Sequence, residues 1–162
     1  MALEPVIQCF KEEFERFWGL LEKLVEVCPE DLWGKKAGGD VFWQQIWHAM
    51  AIAEVNTVED LAVKIPAIDQ YSREVALLSK TLDRVPGKAE ILEHGRRIKQ
   101  QALAYYDSMT VASLTQEHPA MTKRLRGPHT RQHAALALIR HVNYHIGACD
   151  AILREYGHPG VY

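Results

Sequence analysis

Between Ile139 and Cys149 two histidines, His141 and His145, stand four residues apart in an apolar run that extends from Ala134, Ala137 and Leu138 to Ala148 and Ile152. At about 100° per residue, positions four apart on an α-helix sit one turn above each other, so both rings leave the same face. That face is the apolar one, the face a helix buries. An imidazole set in a hydrocarbon stripe needs a partner, and a ring left without one costs roughly a few kcal/mol. A metal ion satisfies both rings at once, since neutral imidazole is the commonest metal ligand. The competing account makes each ring a core residue bonded to a neighbouring helix; it suits a single buried histidine better than a pair at chelating spacing.

The rest of the chain has to bury that face. At 162 residues with 48% hydrophobic content, it is long enough for one domain, 1–162, with a sizeable core. Nineteen basic and 21 acidic side chains leave a formal charge of −2, which gives no footprint for nucleic acid. The start, Met1-Ala-Leu-Glu-Pro, lacks a basic segment followed by an apolar one, and no long uninterrupted apolar window follows, so neither a leader nor a membrane span is expected and a cytoplasmic location is. Cys9, Cys28 and Cys149 are odd in number and form no Cys-x-x-Cys, so they read as reduced structural thiols.

Apolar residues recur at helical spacing from Val6 through Phe10, Phe14, Phe17, Leu21, Leu24 and Val25, which predicts an amphipathic helix over 3–27. It ends at Cys28-Pro29, because the residue before a proline avoids the helical region. Residues 34–39 read as a polar connection, with Asp40 as N-cap of a second helix over 41–63. Phe42, Trp43, Ile46, Trp47, Met50, Ile52 and Val55 make that helix apolar nearly all round, so it is expected at the centre or at a subunit contact. The Trp43/Trp47 stripe fits either core or a dimer interface. A long connection over 64–86, with a short helical piece near 72–79, leads to a third helix that starts near Pro86-Gly87 and ends near Met109. Gly95 either weakens that helix or marks a close helix contact. A second long connection, 110–128, carries Lys123-Arg124-Leu-Arg126, and the last helix starts at 129–132 and stops before Gly157. The fold class is therefore all-α, a four-helix bundle with long connections after helices 2 and 3, in which simple up-down order does not follow.

An open metal site wants a third protein ligand. His48 lies mid-helix on an inward-looking face and is the choice; His94, among Glu93, Gly95 and Arg96, reads as solvated. His129 and His133 repeat the four-residue spacing, but His133 lies about 80° around the helix from His141 among polar neighbours, so that pair reads as surface. Val142 stands where a zinc protease would need glutamate, and Glu155 to His158 crosses Gly157, which removes the di-iron pattern. No glycine-rich phosphate loop or Gly-x-Ser-x-Gly elbow is present. A mononuclear site of His48, His141 and His145 remains.

The segment Pro29-Glu-Asp-Leu-Trp33, the run Val41-Phe-Trp-Gln-Gln-Ile-Trp-His48 and the stretch His141-Val-Asn-Tyr-His145-Ile-Gly together resemble the DinB-like bundle proteins, over nearly the whole chain. Members of that superfamily, which includes bacillithiol- and mycothiol-dependent transferases, carry one metal-binding histidine on the second helix and a His-x-x-x-His pair on the last. The resemblance maps these onto His48, His141 and His145. It implies a DinB-like four-helix bundle, a divalent metal such as zinc or nickel, and a homodimer. The expected function is that of a metal-dependent thiol S-transferase or hydrolase acting on a small-molecule substrate, with a low-molecular-weight thiol as a candidate cofactor. The alternative is a non-catalytic dimeric metal-binding bundle with a structural or sensory role. Gln44 and Tyr144 are candidate pocket-lining groups, and Lys123, Arg124 and Arg126 would attract the carboxylates of a thiol if their loop lies over the metal.

Overall fold

The computed structural model describes residues 3–60 and 62–162. Met1 and Ala2, read above as the start of a chain without a leader, and Leu61, placed above in the second helix, lie outside the described residues. The first helix, α1 (Pro5–Val27), begins on a proline, whose missing N–H is harmless in a first turn, and buries Ile7, Phe14, Trp18, Leu21 and Val25. A single turn, α2 (Glu30–Trp33), makes the corner, and the Trp33 indole donates to the Pro86 carbonyl at 2.8 Å.

The stretch expected as a plain connection contains a small antiparallel hairpin, β1 (Lys36–Ala37) and β2 (Asp40–Val41), with Lys36 opposite Val41 and Ala37 opposite Asp40. Its loop is Gly38-Gly39, with φ of 63° and 100°; such left-handed positions are what a two-residue hairpin loop demands. The hairpin takes Asp40 out of the N-cap position. Val41 holds that place, and no side chain caps the helix.

Next comes α3 (Phe42–Thr57), in which every residue except His48 and Ile52 is buried. Trp43 and Trp47 are fully enclosed, so their stripe is core and not a subunit contact. The helix stops short of the expected 63 because the chain is drawn back across its end. The carboxylate of Glu54, fully buried, accepts the Ala67 N–H at 2.6 Å and pairs with Arg97. The connection holds two short helices, α4 (Pro66–Gln70) and α5 (Arg73–Ala76), the second capped by the Ser72 hydroxyl.

After α6 (Lys88–Asp107) and a 3-10 turn at Val111–Ser113, the second connection forms α7 (Pro119–Leu125) before the last helix, α8 (Arg131–Glu155). Both α6 and α8 pack against α1 and against α3. The four long helices therefore run around the bundle in the order α1, α8, α3, α6, and the chain crosses a diagonal from α1 to α3 and again from α6 to α8. The expected all-α bundle and its two long connections are present; the second, from α6 to α8, crosses a diagonal, while the first joins the neighbours α3 and α6 and is occupied by α4 and α5. Among the described residues, no helix is long and apolar enough to cross a membrane.

Candidate metal centre

His48 is contributed by α3, His141 and His145 by α8, and these two helices pack against each other. The spacing that put His141 and His145 on one face brings their rings to a centroid distance of 4.7 Å. The His48 ring stands 5.0 Å from His141 and 4.8 Å from His145, which closes a triangle. One ligand atom from each of the three rings lies within 4.8 Å of the others. His145 is buried and its two partners are half-buried, so the cluster sits at the edge of the core with one side toward solvent.

The Nδ1 of His48 lies 2.6 Å from the Ala76 carbonyl oxygen. A carbonyl can only accept, so Nδ1 carries the proton and Nε2 keeps a lone pair for the cluster, the arrangement seen when an outer partner orients a ligating histidine. The other two rings present the opposite situation: His141 Nε2 and His145 Nδ1 are buried with no hydrogen-bond partner. Desolvation dominates all three titrations. It pushes His141 down to about 4 and His145 down to about 3, with repulsion from the neighbouring rings adding to the effect. His48 is also lowered by burial, opposed by its bond to Ala76 and by the charge of Asp40. The rings are neutral at pH 7, which is the form that ligates. Two unpartnered ring nitrogens beside a third ring of defined tautomer fit a divalent ion.

Gln44 is buried, and its amide donates to the carbonyls of Val75 at 3.0 Å and Lys80 at 2.6 Å. It is therefore not a free pocket group; it fastens the strap that carries Ala76. Tyr144 is 69% exposed and lies edge-on to the His145 ring at 5.0 Å, so it borders the cluster from outside. Lys123 and Arg124 belong to α7 and not to a loop, and Arg126 is that helix's left-handed C-cap. The Arg124 guanidinium donates to the Asn56 side chain at 2.8 Å.

His94 is not solvated as expected. It is half-buried, with its ring edge-on to Trp47 at 5.7 Å and 6.1 Å from Tyr71. His129 donates to the Gly127 carbonyl, while the exposed His133 accepts the Thr130 N–H and completes a capping box at the start of α8. Sequence reasoning missed His118, which is fully buried: it accepts the Met121 N–H at the start of α7 and donates to the Asn56 carbonyl. Its position just before Pro119 was the available signal for an N-cap. Cys9, Cys28 and Cys149 are all free; burial raises the Cys28 thiol to about 12 and raises Cys149 as well, which leaves both inert.

The sequence matches the model of the DinB superfamily over residues 13–149. The chain belongs to the DinB superfamily. No protein of curated function matches it. The DinB match takes in α3 and the part of α8 up to Cys149, so all three clustered histidines lie within it.

Proposed function

We propose that this DinB protein is a divalent-metal-dependent enzyme, one bundle domain over 1–162, whose zinc or nickel ion is held by His48, His141 and His145. The observation that carries the reading is the pair of orphaned ring nitrogens, His141 Nε2 and His145 Nδ1, beside a His48 ring whose tautomer is set by Ala76. Leaving a buried polar atom unsatisfied costs about 1–3 kcal/mol, and this protein carries two such ring nitrogens at one point. Ion binding relieves both.

The ligand number supports an enzyme over a structural or sensory site. Structural zinc is normally closed by four protein ligands, whereas among the described residues the cluster contains three histidines and no carboxylate or thiolate. A divalent ion supplies Lewis acidity, which brings a bound water or thiol toward ionisation near neutral pH. The chain's own contribution is orientation and dryness. Ala76 holds the His48 ring by its Nδ1 proton, Gln44 holds the strap that carries Ala76, and burial keeps His141 and His145 unprotonated. The reaction we assign is transfer of a whole low-molecular-weight thiol through its sulfur to a small-molecule electrophile, whose leaving group departs as the new bond to sulfur forms, or hydrolysis of a small molecule. We further assign the protein to the cytoplasm as a homodimer; the exposed Leu136 and Tyr144, two turns apart on α8, supply apolar surface for a second copy.

The test is elemental analysis of untagged protein purified without added metal, beside a variant with all three histidines replaced by alanine. About one equivalent of divalent metal per chain in the parent, absent from the variant, is the expected result. A parent that takes up no metal on reconstitution, or a variant that keeps it, overturns the assignment.

A further inference from the structure

The two unburied residues of α3, His48 and Ile52, are one helical turn apart, so the central helix meets solvent through a single window. His48 forms one half of that window. Ile52, the other half, lines a cleft of about 930 Å³, a size that suits a small-molecule ligand. Leu77 lines the same cleft and directly follows Ala76, the residue bonded to His48. None of the three histidines lines the cleft; its near end is Ile52, one turn of α3 from His48, and Leu77, next to Ala76. The cleft runs past Val55 toward Arg124, which holds the Asn56 side chain eight residues, about 12 Å, along α3 from His48.

The cleft wall has two kinds of surface. Ile52, Val55, Ile65, Ile68 and Leu77 supply a floor of branched aliphatic side chains from α3, from α4 and its N-cap, and from the residue that ends α5. Lys64, Arg73, Lys123 and Arg124 stand around it against Asp60 and Asp69, a local excess of positive charge in a chain whose formal charge is −2. Lys64, Arg73 and Lys123 are exposed, and none has a carboxylate oxygen within 4.0 Å among the described residues. Asp60 already accepts the Ala62 N–H at 2.8 Å. Cations convergent on an apolar trough, with their charge left over, are complementary to a molecule that has an apolar body and an anionic head.

We infer that this cleft is the substrate-binding site and takes an amphiphilic anion, an aliphatic or aromatic body bearing a carboxylate, with the body on Ile52, Val55 and Leu77 and the anion on Lys64, Arg73 and Lys123. The inference deepens the metal-enzyme reading and rests on it for the chemistry at the His48 end; the binding itself does not need the metal.

The experiment is calorimetric titration of the zinc-loaded protein with decanoate and with decyltrimethylammonium, both below their micelle-forming concentrations. One decanoate per chain is expected, bound about tenfold or more tighter than the cation, the size that two or three solvent-screened charge contacts support. The K64Q/R73Q/K123Q variant, altered only at exposed positions, should lose that preference, and L77W, which fills the trough, should weaken both ligands. Melting curves verify that each variant is folded, and I52W repeats the filling test from α3. Failure of decanoate to bind, equal affinity for the two head groups, or a preference that survives the triple substitution overturns the inference. Association with anionic lipid vesicles without binding of monomeric decanoate overturns it as well, because the anion would then be a membrane surface. Metal content and decanoate binding of the parent together separate the two readings: decanoate binding without any metal uptake sinks only the metal site, while stoichiometric metal without decanoate binding sinks only the cleft.

Discussion

His48 and Ala76 are joined by a 2.6 Å hydrogen bond from the ring Nδ1 to the carbonyl oxygen, across 28 residues of chain. That bond is only as firm as the strap behind it, and the strap is fastened to α3 by Gln44, which lies one turn from His48 and donates to Val75 and Lys80 on either side of Ala76. Gln44 is therefore a positioning residue. Gln44→Leu removes two donated bonds and leaves both carbonyls to find water, a loss of about 1–3 kcal/mol of stability. The disturbed outer partner should lower metal affinity by about 10- to 100-fold, read by competition with a chromophoric chelator. A Gln44→Leu variant that melts lower but binds metal as the parent does would show that the strap supports the fold and not the His48 ring.

The depressed titrations of His141 and His145 make the metal-free protein sensitive to acid. Each ring ionises near 6.5 when the chain is unfolded, but only near about 4 and about 3 when folded. Between those limits the unfolded chain binds more protons, so the stability associated with neutral rings is full above pH 6.5 and is lost as pH falls toward 4 and below. Each ring contributes a slope of at most about 1.4 kcal/mol per pH unit. Urea unfolding of the metal-free protein at pH 7.5, 6 and 5 should show the decline, and His141→Leu/His145→Leu should flatten it. An unchanged slope in the double variant would assign the acid sensitivity to other groups.

The histidine cluster was legible because helical spacing is rigid. His141 and His145 at four residues apart must share a face, and His48 is the mid-helix histidine of the helix that is apolar nearly all round, although the structure leaves it half-buried and not turned fully inward. The choice of Gln44 as a pocket group failed for a reason the sequence does not carry: its partners, the carbonyls of Val75 and Lys80, belong to a connection whose path is set by tertiary contacts. The same holds for the end of α3. Val58, Ala62 and Val63 continue an apolar pattern, yet the helix stops at Thr57, because Glu54 pairs with Arg97 and Ala67 from elsewhere in the chain. The Gly38-Gly39 hairpin did carry a local signal, since two adjacent glycines suit left-handed loop positions, but strands of two residues are too short to show alternation.

Glu54 is the fully buried partner of Arg97, whose own side chain is 41% exposed, and it also accepts the Ala67 N–H. Removing the arginine leaves a carboxylate inside the bundle with one amide for company. Arg97→Met should therefore cost about 3 kcal/mol, the low end for breaking a buried pair because the guanidinium is partly solvated. Glu54→Gln in the same background should recover part of that loss by removing the charge, while the Ala67 bond survives. Chemical denaturation of the parent, both single variants and the double variant gives the coupling. Additive losses would mean that the two side chains do not support each other.

Gly95 sits where α6 crosses α3 and α1. A Cβ built there would lie 2.9 Å from the Met50 Cε and 3.1 Å from its Sδ, with the Trp18 ring next at 3.8 Å. The nearest atoms are the tip of a flexible thioether, which gives way more easily than a ring or a backbone. Gly95→Ala should thus be close to neutral: alanine recovers up to about 1 kcal/mol of helix propensity, and the displaced Met50 tip offsets it. Gly95→Val has no such escape, because two γ-carbons reach past Met50 toward the fully buried Trp18. It should lower stability by about 2–3 kcal/mol through overpacking. Met50 and His48 share α3, so pushing that helix outward also displaces His48 from His141 and His145; Gly95→Val should weaken metal binding while Gly95→Ala leaves it unchanged. Paired melting and chelator-competition curves on the two variants check both halves, and a Gly95→Val protein as stable as the parent would mean that the crossing is looser than these distances.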